Sequence, residues 1–214
     1  MNKKNFSENC NLSSYTTIKV GGVAEYFAEP RSVEELSYLI KWANLKNQRC
    51  QIIGAGSNLL INNIFIKGLV VCTKKLKSLK IDPYSGIIEA EAGVMLPTLS
   101  NSLAKNGLQG GEWAVGIPGT LGGAIYMNAG TDNLSLAKNL ISVKVINNKT
   151  HEKLEIEKKE INFEYRFSSF QRNDLTIISA RLHFEPYGNL EQLIRTTKNN
   201  LKLKFSEKIF LFIN

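Results

Sequence analysis

Two glycine-rich segments carry the clearest chemical pattern in this chain. The longer one, residues 116–130, holds five glycines and Pro118 among small apolar residues, and no charge occurs from Trp113 to Thr131. Glycine permits positive φ and lets a large ligand lie directly on the main chain, while Pro118 shapes the loop in advance by fixing φ. This composition predicts backbone that contacts a cofactor. Close packing of the backbone in a crowded core is the alternative.

In chain order, residues 54–60 are the first glycine-rich segment and residues 116–130 the second. The first segment reads Gly-Ala-Gly-Ser-Asn-Leu-Leu. A Gly-x-Gly after a strand is typical of dinucleotide-binding folds, in which a third glycine opens a helix. Leu59 occupies that third position, and residues 58–61 look extended, so the pattern argues against such a fold. The loop can still cradle a pyrophosphate with its backbone N–H groups and the side chains of Ser57 and Asn58. A tight turn between strands is the alternative, but two such loops together favour a long ligand such as FAD.

A third candidate for chemistry is Arg166, which lies in the aromatic stretch at residues 162–170. Aromatic neighbours predict a guanidinium that is held in place and partly desolvated. A fixed cation of this kind could face a carboxylate or a developing enolate. A surface arginine stacked on Tyr165 or Phe167 is the alternative.

The net charge of +8 alone does not indicate a partner. The lysines are scattered, and the densest group has few aromatic residues among it, which is typical of a solvated face rather than a nucleic-acid surface. That group consists of Lys74, Lys75, Lys77 and Lys80. We therefore expect no nucleic-acid partner, whereas a phosphate-bearing small ligand fits a moderate positive field.

The cysteines and the chain ends suggest a cytoplasmic protein. Cys10, Cys50 and Cys72 are odd in number and lack metal-ligand spacing, which predicts free thiols and no metal site. His151 and His183 lack plausible partners along the sequence. We expect neither a secretory signal at the start nor a membrane anchor, because the apolar run at residues 209–213 is too short to span a bilayer.

Helices and short strands alternate around these candidate sites, which predicts an α+β fold. A capping box at Ser32 and Glu35, followed by apolar residues at helical spacing, predicts a helix over residues 33–46. Further helices are expected over residues 97–105 and after Asn189. Extended segments are expected at residues 16–20, 23–28, 51–53, 69–73, 87–92, 141–146, 153–156 and 175–184.

Taken together, these stretches resemble the shorter subtype of bacterial UDP-N-acetylenolpyruvoylglucosamine reductases, also called UDP-N-acetylmuramate dehydrogenases. The resemblance covers roughly residues 11–187. Each matching piece is weak alone, and the combination in this order is specific. The matching stretches are residues 11–22, 54–60, 65–71, 116–123, 127–130 and 165–168.

The resemblance implies an FAD-binding module of the vanillyl-alcohol-oxidase type, with two subdomains at residues 1–73 and 74–187. It also implies the NADPH-dependent reduction, through non-covalent FAD, of the enolpyruvyl double bond of a UDP-sugar during peptidoglycan-precursor synthesis. Arg166 would be the catalytic cation that stabilises the enolate, and Tyr165 would contact substrate with it. The residues expected to bind the cofactor are Gly54, Ala55, Gly56, Ser57, Asn58, Leu59, Ile117, Pro118, Gly119, Thr120, Gly122, Gly123, Asn128 and Gly130.

The chain departs from the family pattern toward its end. In the family, a serine that donates a proton and an assisting glutamate lie in a third, substrate-binding domain. We expect residues 188–214 to be a truncated start of that domain, and neither Ser168 nor Ser206 matches the motif of the proton donor. A smaller departure is the stretch Thr131-Asp132-Asn133. The alternative function is therefore a flavin-binding remnant without turnover. An FAD oxidase of the same superfamily is a weaker reading, because the Tyr-Arg-x-Ser match points to the reductase.

Overall fold

The computed structural model describes residues 6–62, 64–131 and 134–213, and in the last helix it describes side chains as far as Lys204. Two features of the sequence analysis lie outside these limits. They are the departure at Asp132 and Asn133 and the apolar side chains of residues 209–213.

Helices and strands alternate along the chain. The helices are α1 (Val33–Leu45), α2 (Leu96–Lys105), α3 (Leu121–Tyr126), α4 (Leu136–Asn139) and α5 (Leu190–Ile213). The strands of the two larger sheets are β1 (Ser7–Asn11), β2 (Val23–Ala28), β3 (Cys50–Ile53), β4 (Phe65–Cys72), β5 (Leu79–Ile81), β6 (Ile87–Glu91), β9 (Leu140–Asn147), β10 (Lys153–Glu157) and β13 (Leu175–His183). Two small hairpins consist of β7 (Gly130–Thr131) with β8 (Leu134–Ser135), and β11 (Phe163–Glu164) with β12 (Phe167–Ser168).

The first sheet has the strand order β1-β2-β4-β3. Strands β2 and β3 run parallel to the central strand β4, and β1 runs antiparallel to β2. The carboxyl ends of β2, β3 and β4 therefore lie at one edge of the sheet, where loops of parallel sheets commonly bind ligands. The loop after β3, which contains the first glycine-rich segment, starts at this edge.

Alternation along β4 explains how this sheet is covered. Leu69 and Val71 pack against α1, whereas Val70 and Cys72 point to the opposite face, where they contact a cluster that includes Phe27. Successive side chains of a strand point to opposite faces, and all four residues are buried. The second half of β4 is thus covered on both faces, which is why residues 69–72 form a continuous apolar run.

The second sheet is antiparallel, with the strand order β10-β9-β13-β6-β5. One face packs against α2 and α3 through side chains such as Leu99, Leu121 and Leu182. On β9 and β13, Ile146 and Ile178 belong instead to the cluster around α1. Helix α1 therefore packs against both sheets and joins them in one core.

Most of the predicted elements are confirmed within two residues of their expected ends. The Ser32 hydroxyl accepts a hydrogen bond from the Glu35 amide at 3.1 Å at the start of α1. The expected extended segment at residues 16–20 is wrong: it forms turns, with Lys19 at a φ of 57°. Strand β1 was not predicted, because its polar sequence Ser-Glu-Asn-Cys-Asn lacks apolar alternation. The described part of residues 54–64 joins β3 to β4 without a helix, which confirms that the dinucleotide-fold interpretation does not apply.

Candidate functional site

The first glycine-rich loop is fixed at the carboxyl edge of the first sheet. The Cys72 thiol lies 3.3 Å from the Gly54 carbonyl oxygen, and the Thr73 hydroxyl donates to the Ile53 carbonyl oxygen at 3.2 Å. The Gly56 carbonyl accepts from the Thr17 amide at 3.2 Å. Gly56 itself has a φ of 64°, and a Cβ there would collide with the Tyr15 carbonyl oxygen. The loop therefore has one defined shape that requires glycine.

The backbone N–H groups of this loop are unpaired within the described part of the chain. Among the described residues, none accepts a hydrogen bond from the amides of residues 54–59. The side chains of Asn58 and Leu59 are exposed beside them. A row of unpaired N–H groups in a fixed loop is the arrangement that binds a phosphate or pyrophosphate.

The second glycine-rich segment is partly helical rather than a continuous loop. A 3-10 turn ends at Gly116, and α3 begins at Leu121 after Thr120, whose hydroxyl accepts from the Gly123 amide at 3.4 Å. This corrects the expectation that the segment is a loop throughout. The physical reason is that Thr120 is a helix-capping residue and that the short apolar stretch after it can pack one helical turn against the core.

Several amides of this second segment are already paired. The Leu121 amide donates to the Val94 carbonyl and the Gly122 amide to the Ala92 carbonyl, both at 2.8 Å. Because a Cβ on Gly122 would lie 2.9 Å from the Cβ of Ala92, this glycine allows close packing of α3. Gly119, with a φ of 128°, and Thr120 differ, because their amides have no acceptor among the described residues.

The two glycine-rich segments meet in space although they are far apart in sequence. The Ser57 hydroxyl donates to the Pro118 carbonyl oxygen at 3.1 Å. A Cβ on Gly119 would lie 2.9 Å from the Ser57 hydroxyl, and one on Gly54 would collide with the Thr120 hydroxyl. The unpaired amides of both segments therefore belong to one surface, as expected if a single long ligand contacts both.

Asn128 lies at the end of α3 with a φ of 43°. Its Nδ2 atom donates to the Glu164 carbonyl oxygen at 2.8 Å, whereas its Oδ1 atom is buried and has no hydrogen-bond partner among the described residues. Buried polar atoms are almost always paired in folded proteins. Together with the unpaired amides, this acceptor fits a ligand that offers both anionic and hydrogen-donating groups, as a flavin nucleotide does.

Arg166 occupies the tight turn between β11 and β12, with a φ of 54°. Its Nη1 atom donates to the Gly130 carbonyl oxygen at 3.3 Å, so the guanidinium lies at the end of the second glycine-rich segment. The expectation that Arg166 is partly desolvated is wrong, because the residue is exposed and stacks on Tyr165, which is itself 90% exposed. The ring of Phe167 contacts the guanidinium of Arg172 instead. Alternating aromatic residues around a turn point to different faces, so they do not all surround the arginine.

The hairpin that carries Arg166 is fastened to the end of α3. The Ser168 hydroxyl is fully buried and donates to the Tyr126 carbonyl oxygen at 2.7 Å. The Nε2 atom of Gln171 lies 2.9 Å from the same oxygen and 3.2 Å from the Arg166 carbonyl oxygen. Neither Ser168 nor Gln171 was predicted to have this role, because these contacts join segments about 40 residues apart and leave no periodic signal in the sequence.

A basic cleft and buried cysteines also occur in the described part of the chain. An open cleft of about 430 Å³ is lined in part by Lys74, Lys75 and Lys77, and none of the predicted flavin-binding residues lines it. Burial raises the pKa of the Cys50 thiol to about 12 and also raises that of Cys72, which disfavours the thiolate. Among the described residues, no group of three or more metal-ligating side chains forms a site, and no helix has the length and apolar character to cross a membrane.

Comparison with known protein families supports an FAD site. Residues 24–152 match the FAD binding domain family, and this range includes both glycine-rich segments. A solved structure of alkyldihydroxyacetonephosphate synthase, at 19% identity, superposes with a TM-score of 0.59 over 78% of this chain and 32% of that one. At this identity the likeness shows the fold alone. The predicted α+β FAD-binding fold is thus confirmed.

Relatives with higher sequence identity indicate which family of FAD-binding proteins this chain resembles. The chain is 68% identical over 199 residues to the UDP-N-acetylenolpyruvoylglucosamine reductase of Prochlorococcus marinus subsp. pastoris (strain CCMP1986). The aligned region covers 93% of this chain and 67% of the relative. It is 45% identical over 201 residues to the enzyme of the same name from strain NATL2A, which covers 94% of this chain and 68% of that relative. This chain thus spans about two thirds of the length of these relatives.

A solved structure supports the same family. The crystal structure of UDP-N-acetylenolpyruvylglucosamine reductase (MurB) from Thermus caldophilus superposes with a TM-score of 0.75 at 28% identity, covering 93% of this chain and 70% of that one. Family, sequence and structure agree with the resemblance on which the predicted site rests. The chain therefore belongs to the UDP-N-acetylenolpyruvoylglucosamine reductase family.

Proposed function

We propose that this chain binds FAD and takes part in the NADPH-dependent reduction of UDP-N-acetylglucosamine enolpyruvate to UDP-N-acetylmuramate, a step in peptidoglycan-precursor synthesis. When bound, FAD supplies hydride transfer. The observation that carries the proposal is the contact between Arg166 and Gly130, because it places a guanidinium at the end of the segment that meets the pyrophosphate loop.

In this proposal the described residues have separate tasks. The amides of residues 54–59 and of Gly119 and Thr120 hold the pyrophosphate, and Oδ1 of Asn128 accepts a hydrogen bond from the ligand. Leu59, Ile117 and the exposed face of Gly123 contact the remainder of the flavin. Hydrogen bonds from the Thr17 amide to Gly56 and from the Leu96 amide to Gly119 hold this backbone in place, which reduces the entropy lost on binding.

Arg166 and Tyr165 face the substrate. Reduction of an enolpyruvyl group develops negative charge that is shared with the neighbouring carboxylate. A guanidinium held in a defined turn can bind that carboxylate through two parallel hydrogen bonds and stabilise the charge as it grows. The solvent exposure of Arg166 is consistent with a group that becomes covered only when substrate binds.

We also propose a division of the chain into residues 1–73, 74–187 and 188–214. The first range contains the first sheet and α1, and the second contains the second sheet with α2, α3 and both small hairpins. The third range contains α5. The pyrophosphate would then lie where the first two ranges meet, at the Ser57–Pro118 contact.

The experiment separates cofactor binding from substrate binding. The chain is purified, its visible flavin spectrum is recorded, and the change in that spectrum is measured as the enolpyruvyl substrate and then NADPH are added. We expect Arg166→Lys to keep its flavin and to bind substrate about 10- to 100-fold more weakly, because lysine cannot reproduce the paired hydrogen bonds. Arg172→Lys is the matched control, since the guanidinium of Arg172 is exposed like that of Arg166 but stacks on Phe167 rather than on Tyr165.

Two results would contradict the proposal. A purified chain that neither retains nor rebinds flavin would reject the cofactor assignment. Arg166→Lys with unchanged substrate affinity, or with an equal loss of flavin, would reject the role of the arginine. A spectral response to substrate without oxidation of NADPH would support the alternative of a flavin-binding protein without turnover.

A further inference from the structure

The carboxamide of Gln171 joins two parts of the candidate site that are separate in sequence. Its Nε2 atom lies within hydrogen-bonding distance of the carbonyl oxygens of Tyr126, at the end of α3, and of Arg166, in the hairpin turn. The Met127 sulfur lies 3.7 Å from the same nitrogen. One side-chain group thus connects the helix of the second glycine-rich segment to the backbone of the arginine.

The hairpin needs such support because it is small and strained. Strands β11 and β12 have two residues each, and a hairpin of this size is not stable without outside contacts. Arg166 also adopts a left-handed conformation that costs a residue with a side chain about 1–2 kcal/mol. The Ser168 hydroxyl and the Asn128 amide fasten the strands to α3. Gln171 is the contact that reaches the main chain of Arg166 itself.

The guanidinium has little other support. It is exposed, and its recorded contacts are the hydrogen bond to Gly130 at 3.3 Å and the stacking on the exposed ring of Tyr165. Its location is therefore set mainly by where the backbone of the turn is held. We infer that Gln171 is a positioning residue for Arg166: by donating from one amide to the Tyr126 and Arg166 carbonyls, it fixes the turn so that the guanidinium faces the substrate. The substrate part of this inference rests on the proposed function.

Two substitutions test the inference. Gln171→Glu presents a carboxylate, which accepts but does not donate, to two carbonyl oxygens, and Gln171→Met removes the donor at nearly the same length. Gln192→Glu is the matched control for charge, because Gln192 is exposed on the first turn of α5. A thermal unfolding curve of each protein shows whether the carboxylate of Gln171→Glu prevents folding. If it does, Gln171→Met is the variant to use.

The first measurement does not require any ligand. Trypsin cleaves after arginine, and cleavage in a tight turn requires the turn to open locally. We expect both Gln171 variants of the full chain to be cleaved after Arg166 severalfold faster than the wild type, with the control unchanged. Rates equal to that of the control in both variants would overturn the inference.

The second measurement asks whether Gln171 acts through Arg166. Substrate affinity is read from the flavin spectrum for Gln171→Met, Arg166→Lys and the double variant. We expect each single variant to weaken binding and the double variant to be little worse than Arg166→Lys, since groups that act together are not additive. Additive losses would overturn the inference. If Arg166→Lys alone leaves substrate affinity unchanged, the proposed function fails, while the cleavage rates still decide whether Gln171 holds the turn.

Discussion

The two glycine-rich segments look alike in sequence but use glycine in different ways. In the loop at residues 54–59, the amides have no acceptors among the described residues, and Gly56 provides a left-handed turn. In the segment at residues 116–130, the Leu121 and Gly122 amides are paired, and Gly122 serves the close packing of α3 on Ala92. The first segment leaves its amides unpaired, and the second mainly brings backbones together.

This difference shows that glycine content alone does not identify ligand contacts. The interpretation of crowded packing is confirmed for Gly122, whereas cofactor contact stays a prediction for Gly119 and Thr120. Gly119 and Thr120 have free amides beside Ser57, whereas the amide of Gly122 lies against the core. Substitutions at single glycines should therefore separate loss of flavin from loss of stability.

The largest effect is expected for Gly56→Ala. The new Cβ would collide with the Tyr15 carbonyl oxygen at a φ of 64°, so the loop must move, at a cost of about 2–4 kcal/mol from strain and overpacking together. We expect most of the bound flavin to be lost, as measured by flavin content and by denaturant unfolding. The control is Gly107→Ala, which has a φ of 70° but no atom nearer than 3.6 Å to its Cβ and should keep its flavin. Equal flavin content in the two variants would contradict this assignment.

An intermediate effect is expected for the neighbouring pair Gly122→Ala and Gly123→Ala. The first adds a Cβ 2.9 Å from that of Ala92 and should lower the free energy of unfolding by about 1–3 kcal/mol. The second adds a Cβ whose nearest neighbour is the Thr120 hydroxyl at 3.5 Å, so it should gain about 0.5–1 kcal/mol from helix propensity. We expect Gly123→Ala to bind flavin more weakly despite this gain. Unchanged flavin affinity in Gly123→Ala would remove this glycine from the site.

The smallest effect is expected for Ser57→Ala. This change removes the hydrogen bond to the Pro118 carbonyl that joins the two segments. The expected cost is about 0.5–1.5 kcal/mol, or roughly a 2- to 10-fold weaker affinity for FAD in a fluorescence titration. Ser78→Ala, at an exposed serine outside both segments, should match the wild type. An FAD affinity for Ser57→Ala equal to that of this control would show that the contact between the segments does not shape the site.

Local patterns explain which parts of this structure could be predicted. The Ser32 cap, the apolar spacing of α1 and the alternation on the strands are decided within a few residues, so their bounds followed from the sequence. The candidate residues of the flavin site came from the composition of the two glycine-rich segments and from the resemblance to the family. Their assignment to flavin contact remains a prediction that the glycine variants test.

Long-range contacts explain the rest. The exposure of Arg166 depends on how its hairpin packs on α3, and the contacts of Gln171 depend on the same packing. His151, which seemed to lack a partner in the sequence, lies with its Nε2 atom 3.0 Å from the Nδ2 atom of Asn44 on α1. His151 and Asn44 are 107 residues apart in the sequence, and Gln171 and Tyr126 are 45 residues apart. No periodicity in a single sequence reports contacts at such separations.

The position of β13 at the centre of the second sheet sets the order in which this protein can fold. Strand β13 pairs with β6 on one side and with β9 on the other, yet it comes last in chain order among the five strands of this sheet. Until the ribosome has released His183, the β5–β6 and β9–β10 pairs can form only as separate hairpins with unpaired edges, which are prone to aggregate. Pairing over such separations closes long loops and slows folding. Because β13 joins the β5–β6 pair to the β9–β10 pair, the second sheet can be completed only after residue 183 has left the ribosome.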